Sequence, residues 1–386
     1  MNASFMKKAL ALAVLSSFGA MAYAQSSVQL YGVVDVGIRH TTNQGTNKSG
    51  LTQMVGGGMS QSRWGINVKE DLGNGLSAIA NLENRFGADT GTPASTLPYF
   101  AQSWVGLRST SFGQLTMGRQ YNILFDLVTS TYASFPYSPY MEEYKPELGM
   151  AVGARANNML KYMAEFGPVR LGLQYSFDEG DTLAKRGMFT PGLSTGMKTA
   201  GGYVRYSQGE ISAGLGYLST TLPGGSKVDA WSLGGSYKMG NLYLMAGYAQ
   251  NKRKDNGASL TNQGFDIAVL NNFWMGSSNG GFIAGSSPMN AANKREMIKV
   301  GFGYQITPQL NAGLHYYHAK QNGSNGGMYN GKADFIVAVA DYAFSKRTDA
   351  YFGVDYTKTS GGSGVMLDTN GATKRTGITM GLRHRF

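Results

Sequence analysis

The chain has 386 residues, no Cys, 55 Gly, and 34 Lys plus Arg against 23 Asp plus Glu, a formal charge of +11. Without cysteine there is no disulfide framework and no thiolate site for metal or catalysis. The basic residues are scattered, with no patch interleaved with aromatics, which argues against nucleic acid as a partner despite the charge.

The first stretch reads as a secretory signal. Lys7 and Lys8 precede an apolar run from Ala9 to Met21, and Ala22-Tyr23-Ala24 is a small-x-small cleavage site. Residues 1–24 are therefore expected to be removed, leaving 25–386 as a single domain. Beyond the signal no apolar window is long enough for a transmembrane helix.

Period-two alternation starts at once. From Val28 to Arg39 one face carries Val28, Leu30, Val34, Val36 and Ile38, and the other Gln29, Asp35 and Arg39. The polar stretch 40–59 reads as a loop. Arg63 to Lys69 sets Trp64, Ile66 and Val68 against Arg63, Asn67 and Lys69. After a tight turn at 71–75, Leu76 to Phe86 turns Asn81, Glu83 and Arg85 to one side. Further strands fall near Leu107, at 114–121 and 157–166, and then regularly to 376–386, sixteen in all. In Ala333 to Phe344 both faces are apolar, so alternation does not assign its direction.

Connections alternate between short turns (71–75, 109–113, 167–168, 208–210) and long loops (40–59, 87–98, 122–154, 178–198). Even strand number, short turns on one side and long loops on the other specify an all-β fold: a 16-stranded antiparallel transmembrane β-barrel. Sixteen strands enclose water, where eight would be filled by side chains. The third long segment, 122–154, has no period, carries Asp126, Glu143 and Glu147, and is rich in Phe and Tyr. A loop this long in a compact chain is usually functional, and its aromatics fit packing against an inner wall. It is expected to fold into the lumen.

Chemistry finds little foothold. The histidines are His40, His315, His318 and His384, and on one strand His315 and His318 point to opposite faces. No catalytic, metal or cofactor site is expected.

Six segments in order resemble one family: Leu30-Tyr-Gly-Val-Val-Asp35, Ser62-Arg-Trp-Gly65 with Glu70-Asp-Leu-Gly73, Trp104-Val-Gly-Leu107, Gly118-Arg-Gln120, Tyr342-Ala-Phe-Ser-Lys-Arg-Thr348, and Gly381-Leu-Arg-His-Arg-Phe386. The chain resembles the trimeric general porins of Gram-negative outer membranes, most of all their β-proteobacterial branch. The resemblance implies a homotrimer among outer-membrane lipid and lipopolysaccharide. It also implies recognition of the terminal Phe386 by the outer-membrane insertion machinery. An arginine ladder at Arg63, Arg119 and Arg155 would face loop acids, with Lys145-Pro-Glu-Leu-Gly149 placing Glu147 and Glu143 at the constriction. Relatives often carry Arg where Ala101 stands and Gly where Arg85 stands, so Arg85 would replace the missing rung.

Arginine facing lipid at the bilayer midplane costs roughly 2–4 kcal/mol, so the lumen is its default place. Alternation puts Arg63, Arg85 and Arg155 inward, with Lys69 and Lys161, and Asp126 on the loop 122–154 is a further expected lumen charge. Arg119 shares parity with Leu115 and Met117, and only a bulge at Gly118 would re-aim it. The expected function is passage of small neutral and anionic solutes, mildly favouring anions. A substrate-selective porin and an adhesin or receptor barrel are the alternatives.

Overall fold

A computed structural model describes residues 26–45, 47–93, 99–133, 147, 150–151, 153–177, 198–221, 227–253, 292–323, 327, 330–363, 365–367 and 370–386. The signal segment 1–24 lies outside these. The strands are β1 (Ser27–Gln44), β2 (Ser49–Gly56), β3 (Arg63–Gly73), β4 (Leu76–Arg85), β5 (Phe100–Ser109) and β6 (Gly113–Tyr121). Helix α1 (Ile123–Thr131) follows, then β7 (Arg155–Phe166), β8 (Val169–Ser176), β9 (Lys198–Gln208), β10 (Ile211–Thr221) and β11 (Lys227–Met239). The rest are β12 (Leu242–Arg253), β13 (Ala292–Gln305), β14 (Leu310–Gly323), β15 (Gly331–Ala343), β16 (Thr348–Gly361) and β17 (Lys374–Arg385).

Apart from β2 and β3, which both pair with β1, every strand pairs antiparallel with its sequence neighbour. The sheet closes where β1 meets β17, in register from Val33↔Arg385 to Thr41↔Gly377. These seventeen segments make sixteen staves, because β2 and β3 are one interrupted stave. The lower half of β1 pairs with β3 (Ser27↔Lys69) and its upper half with β2 (Val36↔Gly56).

This corrects the loop expected at 40–59. β1 runs on to Gln44, turns, and returns as β2. The stave then breaks at 57–62, which is pinned to Asp35. Its buried carboxylate accepts from the backbone N–H of Met59 (2.9 Å) and Ser60 (2.6 Å) and from the Tyr351 hydroxyl (2.7 Å). The Asp35 backbone N–H donates to Ser62 Oγ at 3.0 Å. Two of the segments that carry the family resemblance therefore meet in one clamp.

The two faces are inverted relative to a soluble protein. Along β16, Asp349, Tyr351, Asp355, Thr357 and Thr359 are buried, while Phe352, Val354 and Tyr356 are exposed. An apolar outer belt around a polar interior is stable only where lipid replaces water outside. β15 is the exception noted in the sequence. Its Ala333, Phe335, Val337 and Val339 turn inward yet stay apolar, because Met59, Met150 and Leu367 pack over them.

The seam carries its own device. Gly32 exchanges two 3.0 Å backbone hydrogen bonds with Phe386, and the Phe386 ring occupies the space a side chain at Gly32 would need. A cross-strand aromatic covering a glycine restores buried area the glycine cannot supply.

Candidate functional site

The segment after β6 leaves the wall and re-enters it at one point. The Asn122 backbone N–H donates to the Ala154 carbonyl at 2.9 Å. Its side chain donates to the carbonyls of Gly153 (2.6 Å) and Ala151 (3.2 Å). Asn122 also caps α1, its Oδ1 accepting from the Phe125 N–H at 2.9 Å. One asparagine thus sets both the helix start and the neck of the excursion.

The apolar side of α1 lies on inward-facing residues of β9 to β12. Ile123, Leu124, Leu127 and Val128 are buried with Tyr203, Leu218, Val228, Ala230, Tyr243 and Met245. Glycines shape this seat. A Cβ at Gly216 would stand 2.9 Å from Leu124 Cδ2, and one at Gly234 would stand 2.7 Å from the Tyr132 ring. Burying four such side chains contributes about 1.5–3 kcal/mol each, enough to hold a nine-residue helix that would not persist alone.

Next to α1, the wall of β3, β4, β6 and β7 gathers arginines. Arg63 and Arg85 are opposed in register, and Glu83 lies between them. Its carboxylate is 3.0 Å from Arg85 Nε and 3.6 Å from Arg63 Nε, and it accepts from the Tyr31 hydroxyl at 3.1 Å. Arg85 also donates to Gln61 (2.6 Å) and to the Tyr121 hydroxyl. Arg155 donates to that hydroxyl at 2.9 Å, with its guanidinium 4.4 Å from the Tyr121 ring centroid. Tyr121 in turn stacks on Phe125 of α1 at 4.6 Å. Arg63, Arg85 and Arg155 therefore form one group, joined through Glu83 and Tyr121.

The remaining expected residues go elsewhere. Asp126 pairs with Lys161 at 2.7 Å. Burial pushes its carboxyl up, and the Lys161 ammonium partly offsets that. Glu147 does not face the arginines: it pairs with buried Lys299 of β13, whose ammonium lies 4.6 Å from the Tyr132 ring. Lys69 is exposed beside the turn that ends β3, at the rim. Glu143 lies outside the described residues.

Arg119 sits in a bulge. Gly118 pairs with Met159 and Gln120 with Ala156, so Asn157 and Asn158 oppose Arg119 alone. Gly118 (φ +128°) and Asn158 (φ +51°) take the left-handed angles the bulge requires. Alternation no longer sets the direction of Arg119, which donates to Asn157 Oδ1.

Sequence reasoning passed over three features. Glu83 was visible on the inward face but was not matched with Arg63 and Arg85. Tyr121 has no signal in the alternation, because β6 ends there. On β1, β16 and β17, Arg39 pairs with Asp355 (2.7 Å) and Arg383 with Asp349 (2.9 Å). Their inward parity was legible, but their pairing needs the closed seam. These two pairs, with Asp126–Lys161 and Glu147–Lys299, are neutral in sum. The Arg63–Arg85–Arg155 group gathers three guanidinium groups around one described carboxylate, Glu83.

A family model described as Gram-negative porin matches residues 10–362. Outer membrane porin protein 32 of Delftia acidovorans is 30% identical over 401 residues, covering 99% of this chain and 100% of the relative. An outer membrane porin protein of Bordetella pertussis is 28% identical over 423 residues, covering 98% and 100%. Among solved structures, an anion-selective porin from Comamonas acidovorans is similar with a TM-score of 0.69 and 26% identity, covering 94% of this chain and all of that one.

Proposed function

The chain belongs to the Gram-negative porin family and is a multi-pass outer-membrane barrel, and on that premise we propose that it is a homotrimeric, water-filled pore, narrowed by 122–154 and mildly selective for anions. The observation that carries the charge preference is the gathering of Arg63, Arg85 and Arg155 at one wall around Glu83 and Tyr121, while Asp126 and Glu147 are engaged by lysines on other strands. The solved relative from Comamonas acidovorans, described as anion-selective, supports the same sign.

Fixed charges at a constriction act on permeating ions without binding them tightly. At an effective dielectric near 20, one uncompensated charge ~8 Å away is worth about 2 kcal/mol unscreened. Water in an open pore reduces that several-fold, leaving a preference by a factor of a few. Charges farther than the Debye length, ~8 Å at physiological salt, contribute little. Lys69 at the rim therefore counts for less than Arg85, and Arg119 adds to the constriction only if its bulge turns it to the lumen.

The seat of α1 on the inner wall supports 122–154 as the element that sets the bore. Glu143 is expected to join it there, and Phe386 to serve as the mark read by the insertion machinery.

Liposome swelling with neutral sugars of graded size tests passive diffusion. A smooth fall in rate with size is expected. One sugar passing far above the trend would instead mean a substrate-selective pore, and negligible flux for all sugars would mean a plugged receptor or adhesin barrel.

A further inference from the structure

The short-turn end of the lumen carries a second gathering of arginines. Between the turns that join β5 to β6 and β7 to β8 lies a cleft of about 420 Å³, lined by Arg108, Thr110, Ser111, Gln114, Glu165 and Arg170. That volume falls within the roughly 300–1,000 Å³ of small-molecule sites. Arg108 opposes Gln114, Glu165 opposes Arg170, and Arg170 opposes Arg205 on the next strand. Arg108, Arg170 and Arg205 share the inward parity of Gly106, Gln174 and Tyr203, which are buried. α1 lies next to this end: Gly214, opposite Arg205 across the ladder, receives Leu127 of the helix.

Among the described residues, Arg108 and Arg205 form their hydrogen bonds through Nε alone, to Gln114 Oε1 (3.0 Å) and Ser212 Oγ (3.4 Å). A guanidinium held at that edge presents its two terminal nitrogens as a fork that matches a phosphate or carboxylate. Arg170 donates through Nε to Glu165 Oε1 at 2.5 Å. Three guanidinium groups thus stand around one described carboxylate, and that carboxylate decides the class of anion. A dicarboxylate would bring its second charge against Glu165. A phosphate monoester concentrates close to two charges on one group with three acceptor oxygens. The hydroxyls of its organic part would find hydrogen-bond partners in Glu165, Thr110 and Ser111.

We propose that Arg108 and Arg170, with Arg205 beside them, form a binding station for small hydroxylated phosphate monoesters at the short-turn mouth of the pore. The proposal rests on the reading of the chain as a water-filled pore. It adds a site and a ligand class separate from Arg63, Arg85 and Arg155.

The test titrates the full chain in detergent with glycerol phosphate, by calorimetry. Arg108→Gln with Arg170→Gln should raise the dissociation constant at least about tenfold. Lys346→Gln, at the turn between β15 and β16, should leave it unchanged. Inorganic phosphate should bind more weakly than the ester, and glycerol should give no heat of binding. Succinate should bind poorly to the native chain and better after Glu165→Gln. Equal affinity in the native and doubly substituted chains would overturn the proposal, as would no binding by the native chain. Loss of binding in Arg63→Gln with Arg155→Gln, while Arg108→Gln with Arg170→Gln retains it, would assign the ester to the constriction and overturn the cleft. Succinate or inorganic phosphate binding the native chain as tightly as the ester would overturn the ligand class. Single-channel conductance of the same preparations is a separate readout. A native chain that binds the ester but does not conduct would count against the pore and not against the cleft.

Discussion

Arg155 lays its guanidinium 4.4 Å from the Tyr121 ring centroid and donates 2.9 Å to the same residue's hydroxyl. A planar cation held both over a ring and by its phenol has little freedom left, and Arg85 shares that phenol. Tyr121 is thus the support on which two of the fixed charges rest. Tyr121→Ala should let both arginines spread, widening the pore and weakening charge preference. Tyr121→Phe keeps the ring and should shift selectivity less. Conductance and reversal potential on the two variants give that ranking, and equal effects would mean that the ring does not position the arginines.

Glu83 stands between Arg63 and Arg85. Glu83→Gln removes the nearest compensation and leaves two guanidinium groups opposed in register. Anion preference should rise, by about twofold once water screening is allowed for. The barrel should also melt at a lower temperature, because like charges opposite one another are destabilising. Conductance in symmetric salt should change little, since the replacement is nearly isosteric.

The seat of α1 depends on wall positions without side chains. Gly216→Val would drive a branched side chain into Leu124 and Leu127, whose carbons already lie 2.9–3.0 Å from an ideal Cβ there. The helix should be displaced while the strand ladder persists, because overpacking costs roughly 1–3 kcal/mol and barrel closure does not use α1. Larger sugars should then enter in swelling assays. An unchanged size cut-off would mean that the helix does not limit the bore.

At the seam, deleting Phe386 removes two backbone hydrogen bonds to Gly32 and uncovers that glycine. Outer-membrane trimer should fall sharply while secretion of the chain continues. Gly32→Leu tests the packing part alone, because it collides with the ring and keeps the terminal residue. Normal trimer yield in both variants would remove Phe386 from any role in assembly.

The barrel was legible because its information is local. Alternation, turn length and strand number are each written within a few residues, and the structure returns them as sixteen staves. The stretch 40–59 misled because its few apolar residues do not alternate: Leu51 and Val55 share one parity and Met54 the other. β2 forms nonetheless by pairing with the upper half of β1, where Met54 lies opposite Ile38. The direction of β15 could not be read because its inward row is covered by Met59, Met150 and Leu367, residues far away in the chain. For the same reason Lys299 as the partner of Glu147 had no sequence signal. Arg63, Arg85 and Arg155 could be placed inward one at a time, but their union through Tyr121 and Glu83 depends on the end of β6, where alternation stops.

The most direct test is the reversal potential of the reconstituted pore under a KCl gradient. The sign for chloride is expected, exceeding potassium permeation by a factor of a few and weakening as salt rises. Replacing Arg63 and Arg155 by Glu should move the potential towards potassium. A native pore that already prefers potassium would contradict the assignment of Arg63, Arg85 and Arg155 as the charges that govern permeation.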